Sequence, residues 1–117
     1  MARLSTHVLD TSRGVPASRV SMELYLCHAG GRTLLKSAIT NADGRTDEPL
    51  ISADELTAGV HELVFHAGDY FRALELPLTD PPFLDEVVIR FGISDPRGNY
   101  HVPLLLSPYG YSTYRGS

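Results

Sequence analysis

A chain of 117 residues has room for one domain with a sizeable core and none for a second. Its 43% hydrophobic and 21% charged residues are ordinary globular values, which exclude a disordered chain. A formal net charge of −4, without any run or stripe of lysine and arginine, argues against nucleic acid or an anionic membrane as partner. Cys27 is the single cysteine, so no intrachain disulfide is available and packing must hold the fold. A small strand residue suits it better than a nucleophile, because no cysteine-hydrolase pattern surrounds it. No apolar run approaches the roughly 20 residues that span a bilayer, and the first residues lack a hydrophobic signal core. A soluble, cytoplasmic protein forming a single domain over residues 1–117 is expected.

Leu4–Asp10 alternates as a first strand, with Leu4, Thr6 and Val8 on one side and Ser5, His7 and Leu9 on the other. Residues 11–18, with Gly14 and Pro16, read as loop. Val20–His28 follows as a strand whose Val20, Met22, Leu24 and Leu26 face inward, and Gly30-Gly31 turns the chain into a third strand, Thr33–Thr40. Asn41, Asp43 and Gly44 signal a second turn, with Arg45 immediately beyond it and therefore near strand ends. Past Pro49, Leu50-Ile51 reads as a short edge strand and Ser52–Leu56 as a single helical turn.

Gly59–Ala67 returns to strand, with His61, Leu63 and Phe65 on one face and Val60, Glu62, Val64 and His66 on the other. Asp69–Leu76 is the one predicted helix, with Asp69 as N-cap and Pro77 as stop. Glu86–Ile93 is a strand with Val87, Ile89, Phe91 and Ile93 inward. The last stretch holds two strands, Tyr100–Leu106 and Tyr109–Tyr114, that meet in a turn at Ser107-Pro108. Its greasier face, Tyr100, Val102, Leu104 and Leu106, belongs to the core, which turns His101, Pro103 and Leu105 outward. Seven or eight short strands with one short helix predict an all-β, two-sheet sandwich.

The histidines are the side chains that titrate near neutrality. His61 and His66 stand an odd number apart in one strand and cannot chelate together, and no Cys/His spacing of the zinc type occurs. No metal site is expected, and His28, His61 and His66 read as satisfied or exposed strand residues. His7 and His101 lie on the non-core faces of their strands beside Leu9, Pro103 and Leu105, a setting that is either partly solvated or covered by another subunit. Arg45 reads equally as a solvated loop arginine or as a fixed donor for an oxygen-rich ligand. Neither Ser107 nor Ser112 lies in a nucleophile-elbow pattern, so a covalent Ser-His-Asp route is not expected.

Three motifs and a closing tetrapeptide carry a family resemblance over nearly the whole chain. The stretch from Tyr100 to Thr113 closely resembles the C-terminal signature shared by transthyretin and the transthyretin-like 5-hydroxyisourate hydrolases. His7-Val8-Leu9-Asp10 with Gly14, Pro16 and Ala17 resembles the N-terminal signature, and Asn41-Ala42-Asp43-Gly44-Arg45 the middle motif. Tyr114-Arg115-Gly116-Ser117 looks like the closing tetrapeptide of the hydrolase branch.

The resemblance implies a transthyretin-type fold and a homotetramer in which His7, Arg45, His101 and the tetrapeptide surround a cleft where dimers meet. It also implies hydrolytic opening of 5-hydroxyisourate in urate breakdown, giving 2-oxo-4-hydroxy-4-carboxy-5-ureidoimidazoline without a cofactor. A histidine near its ordinary pKa can deprotonate the attacking water or protonate the leaving ring nitrogen. Arg45 suits the charge that builds on a carbonyl oxygen. Tyr114 would wall the ring and bind substrate, while Ser117 would bring a hydroxyl and a carboxylate to the catalytic histidines. The rivals are a transthyretin-like carrier of small aromatic molecules and a sandwich without chemistry.

Overall fold

Period-two burial decides the strands: in Arg3–Asp10 (β1) Leu4, Thr6, Val8 and Asp10 are buried, while Ser5, His7 and Leu9 are half-buried on the opposite face. The computed structural model describes residues 2–116. After β1 come Val15–Pro16 (β2), Ser21–His28 (β3), Gly31–Ile39 (β4), Gly59–His66 (β5), the helix Ala67–Ala73 (α1), Glu86–Ile93 (β6), Asn99–Ser107 (β7) and Gly110–Thr113 (β8). They form two four-stranded sheets, β2-β1-β7-β8 (sheet A) and β4-β3-β5-β6 (sheet B). β1 and β7 run parallel, with Ser5 beside His101 and His7 beside Pro103. The remaining named pairs are antiparallel.

The core lies between the sheets. Leu4, Val8, Leu104 and Leu106 of sheet A pack with Met22, Leu24, Leu63, Phe65 and Val87 of sheet B in one cluster that also takes in Tyr70 and Phe71 of α1. Truncating a fully buried leucine here to alanine costs about 2–5 kcal/mol. Asp10 is buried but fully engaged: its Oδ1 accepts from the Ser12 amide at 3.1 Å, the Ser12 hydroxyl at 2.6 Å and the Arg13 amide at 3.1 Å. Its Oδ2 accepts the Tyr70 hydroxyl at 2.7 Å, which ties α1 to the end of β1. Burial and that carboxylate push the Tyr70 hydroxyl up to about 12, so it stays a donor.

The expected sandwich is present, with three differences of detail. The helix runs Ala67–Ala73 rather than Asp69–Leu76, and His66, not Asp69, holds the N-cap position. Burial of Ala67, Gly68, Tyr70 and Phe71 fixes the start, leaving Asp69 exposed in the first turn. Val15 and Pro16, read as loop, pair with Asp10 and Leu9. The short strand at Leu50-Ile51 is a single bridge, Ile51 to Leu4, before a 3-10 turn at Ala53–Glu55.

Candidate active site

Arg45 is placed by the loop before it. The Asn41 side chain accepts the amides of Asp43 at 2.9 Å and Arg45 at 3.2 Å, and the Asn41 amide donates to the Arg45 carbonyl at 2.7 Å. Gly44 sits at φ +76°, where a side chain is disfavoured, and an added Cβ would stand 2.3 Å from the Val8 carbonyl oxygen. That close approach lets the Val8 amide donate to the Gly44 carbonyl at 2.7 Å and sets Arg45 opposite His7 in an antiparallel bridge. The loop thus extends sheet A by one position beyond β1.

His7 is fixed by the same loop: its Nε2 lies 2.9 Å from the Asp43 carbonyl oxygen. A carbonyl only accepts, so Nε2 carries the hydrogen and neutral His7 keeps its lone pair on Nδ1. One strand further across, the parallel register puts His101 on the same face, diagonal to His7 and about 8 Å away by the ordinary spacing of strands and residues. Ser5 Oγ and His101 Nδ1 are hydrogen-bonded at 2.9 Å. Beyond β7 the chain that follows β8 stays docked: Gly116 pairs with His101, its amide donating to the His101 carbonyl at 2.7 Å. Arg115 holds this segment from the side, its guanidinium 4.4 Å over the Tyr100 ring. The outer face of sheet A therefore carries a row: Arg45, His7, His101 and the backbone of Gly116.

Burial pushes the His101 imidazolium below the ordinary histidine value, and the charges of Arg45, His7 and Arg3 add to the shift. His101 is accordingly neutral at neutral pH, with a nitrogen lone pair available. Exposed Arg45 offers a guanidinium to any oxygen atom in front of the row.

Three of the residues singled out from sequence, His7, Arg45 and His101, are brought together. Among the described residues no hydrogen bond joins Tyr114 to them; it is 62% exposed and helps line a groove of about 230 Å³ with Phe91, Tyr100 and Arg115. Ser117 lies outside the described residues. A larger groove, about 580 Å³ between β4 and residues 48–55, holds none of the row. Cys27 is a free, half-buried thiol on β3.

The other histidines divide. His28 is exposed and bonded to Thr33, and His66 pairs with Glu23. His61 departs from the reading as satisfied or exposed: it is fully buried, its Nδ1–H donates to the Gly59 carbonyl at 3.1 Å, and its Nε2 has no partner among the described residues. Stacking on Phe91 within the apolar interior accounts for its position. Sequence reasoning passed over Ser5, Arg3 and the Asp43 carbonyl. Strand alternation puts Arg3 and Ser5 on the face of His7, the one signal available for them.

Two four-stranded sheets in this order form a transthyretin-type sandwich, and a histidine-arginine row crosses the outer face of one. A sequence model of the HIUase/Transthyretin family matches residues 4–116. A protein of Rhizobium meliloti (strain 1021) named 5-hydroxyisourate hydrolase 2 is 56% identical over 115 residues, 98% of this chain and 96% of that one. The structure of Klebsiella pneumoniae 5-hydroxyisourate hydrolase is 36% identical with a TM-score of 0.81, each chain covered in full. Transthyretin from Sparus aurata is 27% identical with a TM-score of 0.87, over 99% of this chain and 97% of that one. The chain belongs to the HIUase/transthyretin family.

Proposed function

We propose that the protein is a 5-hydroxyisourate hydrolase, in which water attacks a ring carbonyl directly and no cofactor takes part. The observation that carries this reading is the row of Arg45, His7 and His101 on one sheet face, in a chain whose full-length relatives bear that name. His101 takes a proton from water as the water oxygen bonds to the carbonyl carbon. Arg45 meets the charge that builds on the carbonyl oxygen. The carbon–nitrogen bond then breaks, the ring nitrogen gains the proton that His101 took up and the acyl carbon leaves as a carboxylate; the reading assigns His7, held by its Nε2–H on the Asp43 carbonyl, to orienting the reacting groups. In this reading Tyr114 is also a substrate contact and Ser117 a source of polar groups for the reaction.

The outer face of sheet A is open in one chain, and substrate needs a second wall. In this reading the 117 residues act as one domain, in the cytoplasm, and pair into a homotetramer whose copies close the cleft over the row. The test is an ultraviolet assay following freshly generated 5-hydroxyisourate with and without the protein. Decay well above the buffer rate is expected, with activity lost once dilution yields monomers. Binding of small aromatic ligands without turnover would instead make the protein a carrier.

A further inference from the structure

The His101 ring is held on two sides. Ser5 Oγ is 2.9 Å from Nδ1. On the other side passes Gly116, so close that an added Cβ would stand 2.7 Å from Cδ2 and 3.1 Å from the His101 Cβ. A half-turn of the ring about Cβ–Cγ exchanges Nδ1 with Cδ2 and forfeits the bond to Ser5. The hydroxyl thus selects one of two ring orientations, while the glycine backbone confines the ring.

We infer that Ser5 is a positioning residue for this hydrolysis: its oxygen accepts the Nδ1–H of His101, which leaves the Nε2 lone pair to take the proton of the attacking water. The inference rests on the hydrolase reading for its chemical step and on the Ser5–His101 contact for its geometry. A hydroxyl suits both halves of the step. Nδ1–H donates to Oγ while the ring is neutral, and the same bond persists once Nε2 is protonated, so nothing must reorient as charge develops. Arg45, His7 and Arg3 all oppose that charge. The Ser5 oxygen, the ring's hydrogen-bond partner among the described residues, counters them without an ionised group that would make His101 cationic beforehand. The Asp43 carbonyl does the corresponding work for His7, fixing hydrogen on Nε2.

The test compares Ser5→Ala and Ser5→Thr in the full chain. Ser5→Ala should lower kcat about 10-fold or more with KM little changed, and move the acid limb of the rate to lower pH, because the imidazolium loses an acceptor. Ser5→Thr keeps the hydroxyl and should recover most of the rate. Nitrogen NMR of histidine-labelled protein at about pH 8, above the ordinary histidine pKa, reads the tautomer without substrate. His101 should carry its proton on Nδ1 in the wild type and shift toward Nε2–H in Ser5→Ala. Wild-type kcat in Ser5→Ala, failure of Ser5→Thr to recover rate, or Nε2–H in the wild type overturns the proposal. A wild type that shows Nδ1–H but no hydrolysis fails the hydrolase reading instead, leaving the hold of Ser5 on the ring standing.

Discussion

Gly116 shows how a single missing carbon shapes the site. Its backbone passes against His101 where an alanine Cβ would meet Cδ2 at 2.7 Å, so Gly116→Ala must displace either the ring or the segment. The expected outcome is a kcat at least about 10-fold lower, since His101, the base of the proposed mechanism, would lose its alignment. The melting temperature should move by no more than about 2 °C, because the segment lies outside the core. Thermal melts beside steady-state rates check both, and an unimpaired enzyme would mean that the ring position is immaterial. At this scale the sequence was partly legible. His7, Arg45 and His101 stand within recognisable motifs and on outward positions of an alternating pattern. Ser5 has the look of any strand serine, because its contact with His101 depends on the register between residues 96 apart in sequence. Asp43 acts through its carbonyl, and a backbone atom leaves no mark on residue type.

Among the elements, the junction of β5 with α1 carries an ion pair but no side-chain cap, the Gly68 amide donating instead to the Asp85 carbonyl at 2.8 Å. His66 ends β5 and makes no capping bond of its own, but its Nε2–H donates to both Glu23 oxygens, at 2.7 and 2.9 Å. The Glu23 bond raises the His66 pKa above the ordinary value, outweighing the opposite effect of burial, with the Glu23, Glu86 and Asp69 charges adding to the rise. A raised folded-state pKa means that the pair contributes fully below the unfolded value of about 6.5 and fades as pH rises through the folded value. Glu23→Gln should therefore cost about 1 kcal/mol at about pH 6 and less at about pH 9, the partial exposure of both groups keeping the effect small. Denaturant melts at the two pH values decide it, and an equal or larger loss at the higher pH would contradict the assignment. The same junction explains why the helix was read two residues late. Asp69 is a good N-cap by type, whereas the tertiary burial of Ala67 and Gly68 set the actual start. Strand positions were far more legible than this boundary, because inward residues such as Leu63 and Phe65 declare themselves by alternation. Two-residue β2 had no run long enough to show alternation.

For the molecule as a whole, alternation gave the strands of a two-sheet sandwich but not their order, which rests on pairings between residues far apart in the chain. The parallel pairing of β1 with β7 joins one end of the chain to the other and turns three distant motifs into one row. The central claim is that this row performs the hydrolysis, and it is tested most directly by kcat/KM on 5-hydroxyisourate for His7→Ala, Arg45→Ala and His101→Ala, each shown to be folded by its melt. All three side chains sit on the outer face rather than in the core, so the melts should be close to wild type. Each variant should lose about 100-fold or more, the scale for removing a positioned acid-base group or an oxyanion donor. Near-wild-type kcat/KM in two of the three folded variants would contradict the account and move the chemistry away from sheet A.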